Sequence, residues 1–123
     1  MLLMYAHPAQ TSAMSASERD AVRQRHATLG DELTASGELL NGAGLAYPSE
    51  TSTLRLQHGV ATAVVGPLAH GVEQLTAYYV IECASSERAR SIGELLLDSH
   101  VTGVELRRIH DSFGMDEGDT RTP

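Results

Sequence analysis

His26 is the residue of this chain whose type and position point most directly to chemistry. It stands in register with Val22, Leu29 and Leu33, at spacings of four, three and four, which put all of them on one face of a helix. An apolar side chain would pack more easily there. Imidazole, with an ordinary pKa of about 6.5, takes and gives protons near neutrality. The alternative is a core histidine hydrogen-bonded to a backbone carbonyl. His100 and His70 are further candidates for a site, and each has a solvated loop as its alternative. Tyr5 and Tyr79 are strand residues whose phenols would orient a substrate oxygen, or simply pack.

Other chemistries find little support. The six histidines show no His-x-His, His-x₃-His or Glu-x-x-His spacing, so no metal is expected. No glycine-rich turn joins a strand to a helix, and no Gly-x-Ser-x-Gly elbow occurs, so no cofactor is expected. The lone Cys83 cannot form a disulfide within one chain, which favours a reducing cytoplasm. It reads as a small buried residue at a strand end rather than as a nucleophile.

The elements that would position these residues follow from pattern. Leu2 to Ala6 forms a short buried strand that His7-Pro8 ends, with a polar loop after it. Ser15 and Glu18 make a capping box for the helix carrying His26, and Gly37 closes that helix. Leu39 to Ala46 is a second strand, interrupted by Gly42 and Gly44. Thr51 to Gln57 and Val60 to Val65 pair as a hairpin through His58-Gly59. Leu75, Ala77, Tyr79 and Ile81 line one face of the next strand. Ser85 or Ser86 caps a second helix with Ala89, Ile92 and Leu96 on one face, and Gly103 to Ile109 is the last strand. This order predicts an α+β domain over residues 1–111: a split βαβ, antiparallel sheet with two helices on one face. Residues 112–123 form a flexible polar tail.

The other sheet face carries Tyr78 and Val80, and so needs a cover. A second copy related by a two-fold axis supplies one, and burying these two side chains yields about 3–5 kcal/mol per subunit. A homodimer is expected. Sixteen acidic residues against nine basic ones, a formal charge of −7, exclude a basic stripe for nucleic acid. No run approaches the ~20 apolar residues of a membrane span, and the apolar start at Met1 to Tyr5 is too short for a signal segment.

The stretch Val65-Gly66-Pro67-Leu68-Ala69-His70-Gly71-Val72-Glu73-Gln74-Leu75 resembles the signature of the YCII-related, or DGPF, family. The opening Met1 to Tyr5, the Gly37-to-Gly44 region and the closing Val104 to Ile109 are similar too. The resemblance implies a ferredoxin-like fold that assembles as a dimeric α/β barrel. Val65 stands where the signature has Asp, and His70-Gly71-Val72 where it has Glu-Thr-Lys.

Members with a His on the first helix and an Asp after the second imply, by position, that His26 and Asp98 form an acid–base pair. Asp98 also has a reading of its own as a turn former behind a helix. The function implied is a cofactor-free lyase or isomerase acting on a small cyclic or unsaturated metabolite. His26 and Asp98 are its catalytic pair, and His70, His100, Tyr5 and Tyr79 contact the ligand. The alternative is a non-catalytic ligand-binding or regulatory module.

Overall fold

The computed structural model describes residues 1–111, and the expected tail from Ser112 to Pro123 lies outside them. Strand β1 (Leu2–Ala6) alternates strictly: Leu2, Met4 and Ala6 are buried, while Leu3 and Tyr5 are only half-covered. A short helix α1 (Pro8–Ala13) follows where a polar loop was expected. Pro8 ends the strand but also begins the helix, because its fixed φ and missing N–H suit a first helical position.

Helix α2 (Ala16–Ala35) has the expected capping box, with the Glu18 N–H donating to Ser15 Oγ and the Ser15 N–H to Glu18 Oε1, both at 3.1 Å. Gly37, at φ 79°, closes it: the Glu38 N–H bonds the Leu33 carbonyl at 2.9 Å and the Gly37 N–H the Thr34 carbonyl at 3.0 Å. These two bonds form a Schellman motif. Strand β2 (Leu39–Gly44) leads through a 3₁₀ turn (Pro48–Glu50) to the hairpin β3 (Ser52–Gln57) and β4 (Val60–Val65). His58 and Gly59 both have positive φ, 51° and 77°, as a tight right-twisting hairpin turn requires. Strand β5 (Gln74–Ile81), helix α3 (Ser86–Leu96) and strand β6 (Val101–Leu106) complete the described chain. Strand β6 starts two residues before the expected Gly103, since Val101 already pairs with Ala6.

The main sheet has the order β2-β5-β1-β6, with every neighbouring pair antiparallel. That is an α+β arrangement consistent with a ferredoxin-like fold, with three α-helices among the described residues rather than two. Leu29 and Leu33 of α2 and Ile92 and Leu96 of α3 pack on Leu2, Met4 and Val101, so both long helices cover one face. Glu38 ties the end of α2 to the start of α3, accepting from Arg88 Nε and Nη2 at 2.8 Å each.

On the opposite face Leu3 pairs with Tyr78, and Val80 follows one pleat along. All three keep part of their surface exposed. The hairpin forms its own two-stranded sheet. Its register puts Leu54, Leu56 and Val65 on one side, and these are 74%, 76% and 80% exposed.

Candidate functional site: a cavity between the second helix and the second strand

The apolar stripe of α2 divides in two. Leu29 and Leu33 enter the core, whereas Val22 and His26 border a cavity of about 540 Å³. The space exists because β2 opposes that half of the helix with Gly42-Ala43-Gly44, which carries almost no side-chain bulk. At Gly42 the absence of a side chain is required, since a Cβ there would stand 2.8 Å from Cδ1 of Tyr79. The Tyr79 ring thus lies against the strand and lines the cavity. Its phenol makes no hydrogen bond among the described residues, and burial raises its pKa. Met14 and Thr11 form a wall from the end of α1.

His26 and Asp98 meet here, 72 residues apart in sequence, with Nε2 and Oδ2 at 2.8 Å. Asp98 lies in the turn between α3 and β6, and its other oxygen shapes that turn, accepting the N–H groups of His100 at 2.7 Å and Val101 at 2.6 Å. One carboxylate thus shapes the turn and contacts His26. Arg25 shares Oδ2 at 3.2 Å and donates a second bond to the Leu95 carbonyl, fastening α2 to the end of α3.

Burial acts to raise the Asp98 pKa, but the Val101 and His100 N–H groups and then His26 outweigh it and hold the carboxyl below its ordinary value. An ionised Asp98 accepts only, so the neutral imidazole is assigned the tautomer with hydrogen on Nε2. The lone pair then sits on Nδ1, which is buried and has no hydrogen-bond partner among the described residues.

His100 also lines the cavity, with Nδ1 2.9 Å from Thr11 Oγ1. Burial lowers its pKa, and the neighbouring His26 lowers it further against the opposing pull of Asp98. Of the six side chains singled out from sequence, the fold thus gathers His26, Asp98, His100 and Tyr79. The other two lie elsewhere. Tyr5 is on the opposite sheet face, donating to Glu105 Oε1 at 3.2 Å, and His70 is exposed in the loop between β4 and β5. Thr11 and Arg19 border the cavity without having been singled out. Pro8 at a helix start and the paired glycines of β2 were the signals that could have led to that wall and that space.

Among the described residues no group of three or more His, Cys, Asp or Glu is placed to hold a metal ion. Nor is any helix among them long and apolar enough to cross a membrane.

The carboxylates make acid stability a test of this geometry. Folding favours the ionised form of Asp98, so its contribution is fully present above the ordinary carboxylate pKa of about 3.9 and is lost as pH falls through the lower folded value. Glu38, held down to about 2 by Arg88 and Ser36, acts with the same sign between the ordinary range and about 2. The urea midpoint should therefore drop from about pH 5 to about pH 2, and Asp98→Asn should flatten part of that drop. An identical profile in the variant would show that the Asp98 contacts do not form.

The antiparallel sheet with its helices is an α+β arrangement consistent with a ferredoxin-like fold. Residues 1–100 match the YCII-related domain, and the chain belongs to that family. It is also 32% identical over 88 residues to an uncharacterised protein of Rhizobium meliloti (strain 1021), covering 72% of this chain and 71% of that protein.

Proposed function

We propose that this chain is a cytoplasmic, homodimeric, cofactor-independent enzyme of lyase or isomerase type acting on a small cyclic or unsaturated metabolite. His26 is its general base and then its acid. Asp98 fixes the tautomer and balances the charge of the imidazolium, while His100 and Tyr79 orient the substrate. Tyr5 and His70, which stand outside the cavity, are left out of this site.

The observation that carries the reading is the 2.8 Å contact between His26 and Asp98 at the wall of a 540 Å³ cavity. Nδ1 makes no hydrogen bond among the described residues, so it is the ring nitrogen left to accept a substrate proton, which requires a movement of the wall that uncovers it.

Proton abstraction can be detected without knowing the net reaction. In D₂O the enzyme should wash deuterium into a carbon-bound position of small unsaturated ring acids and lactones, followed by NMR. Absence of exchange across such a panel, with the compounds shown to bind, would remove the enzymatic reading.

A second reading is favoured by one observation: Nδ1 has almost no accessible surface, and Asp98 is already satisfied by backbone and by Arg25. In that case the pair is structural and the cavity only binds. Binding without exchange would select it.

The dimer rests on the half-exposed Leu3, Tyr78 and Val80 and on the hairpin side of Leu54, Leu56 and Val65. A two-stranded hairpin is marginal by itself, and large apolar side chains exposed on it call for a cover. Sedimentation velocity should give a dimer for the wild type, and Leu54→Asp with Leu56→Asp should shift it toward monomer. A wild-type monomer at micromolar concentration would overturn the assembly.

A further inference from the structure

The charged lining of the cavity is all of one sign. Arg19 and Arg23 border it, and among the described residues no Asp or Glu does, in a chain with sixteen acidic and nine basic residues. The two arginines differ. Arg23 is committed to Asp20 at 2.9 Å in an exposed pair on the rim. Arg19 has no carboxylate partner among the described residues. Its Nη2 donates to the carbonyls of Ser12 at 3.1 Å and Thr11 at 3.4 Å, which fixes the guanidinium against the end of α1. A guanidinium has five N–H donors, so most of its fork remains open.

Arg19, Arg23 and His26 follow at spacings of four and three along α2, which places them on one face of the helix. Seven residues of helix rise about 10 Å, so one ring or a short unsaturated chain spans the distance from Arg19 to His26. The rest of the lining includes the apolar Met4, Met14, Val22 and Leu45 beside the polar Thr11, Thr76 and His100.

We propose that the cavity selects a small carboxylate-bearing ligand, its anionic end held by the Arg19 guanidinium and its apolar body laid along α2 toward His26. The proposal rests on the cavity being the ligand site of the reading above, but not on proton transfer taking place there. Arg19 is a binding group: its planar fork matches a carboxylate, and among the described residues no acidic side chain is paired with it, Asp20 being taken up by Arg23.

The test compares matched probes of one shape, benzoate with benzamide and cinnamate with cinnamamide, titrated into the full chain and followed by NMR shift changes. The carboxylates should bind at least about tenfold more tightly than the amides, as a charge-assisted contact would give. Arg19→Gln should bring the ratio to within about twofold, and the exposed hairpin substitution Arg55→Gln should leave it unchanged. On the wild type alone, raising salt from about 20 mM to about 500 mM should shrink the preference, which keeps the test decisive if the Arg19 variant misfolds.

Equal binding of acid and amide, binding of neither, or a preference that survives Arg19→Gln overturns the proposal. A carboxylate preference without deuterium exchange upholds this assignment and removes the proton-transfer reading. Exchange on neutral compounds with no such preference does the reverse.

Discussion

Asparagine at position 26 is expected to lower solvent-deuterium exchange, or turnover of whatever substrate is found, by about 10²–10⁴-fold, the usual worth of a positioned acid–base group. The shorter carboxamide does not reach Asp98 from the Nε2 position, but Arg25 still bonds Asp98 Oδ2 and the Leu95 carbonyl, so the tie between α2 and the α3–β6 turn is kept. What disappears is the imidazole, with its buried and unpartnered Nδ1. The melting temperature should therefore stay within a few degrees of the wild type. Asp98→Asn should also lose rate, since an amide no longer dictates the tautomer. It should do so together with the altered acid profile given above, because the same residue caps the turn. Undiminished exchange in the His26 variant, with the fold intact, would end the catalytic reading.

The largest expected effect on stability is at Leu96. Its side chain has no exposure, and it is the last residue of α3, two positions before Asp98. Leu96→Ala deletes buried methyl groups among Leu2, Leu33, Ile92 and Val101, at a cost of about 2–5 kcal/mol. Small domains have only about 5–15 kcal/mol in total, so the urea midpoint should fall sharply. Leu97, one residue on and 42% exposed, serves as the comparison: its alanine variant should cost less than about 1 kcal/mol. Similar losses at both positions would mean that α3 does not face the sheet as described.

Local signals of the fold were legible residue by residue. The Ser15–Glu18 box, the glycine at 37 and the His58-Gly59 turn each state a backbone requirement that neighbouring residues alone satisfy, and all three stand where they were expected. The alternation in Leu2–Ala6 likewise sorts its side chains between faces, and the same alternation carries Tyr5 away from the cavity.

Less legible was whatever depends on what a distant segment places opposite. Val22, His26, Leu29 and Leu33 form one stripe in sequence. Only the bare backbone of β2 decides that its first half lines a cavity while its second half enters the core. Helix α1 was hidden because six residues with no buried member carry no apolar stripe, and Pro8 reads equally as an end and a beginning. The meeting of His26 with Asp98 followed from family resemblance rather than from spacing. The share that Arg25 takes of the same carboxylate oxygen had no signal in the sequence at all.

That Arg25 contact sharpens the chemistry. Arg25 and His26 share Oδ2, so in the proposed mechanism the first task of Asp98 is to orient the ring. The orientation can be observed directly. Long-range ¹H–¹⁵N spectra of the imidazole report which ring nitrogen carries the hydrogen in the neutral form. The expected result is hydrogen on Nε2 and a bare Nδ1 whose resonance moves when a carboxylate ligand fills the cavity. Hydrogen found on Nδ1, or an Nδ1 signal indifferent to a saturating ligand, would contradict a proton-accepting histidine at this wall.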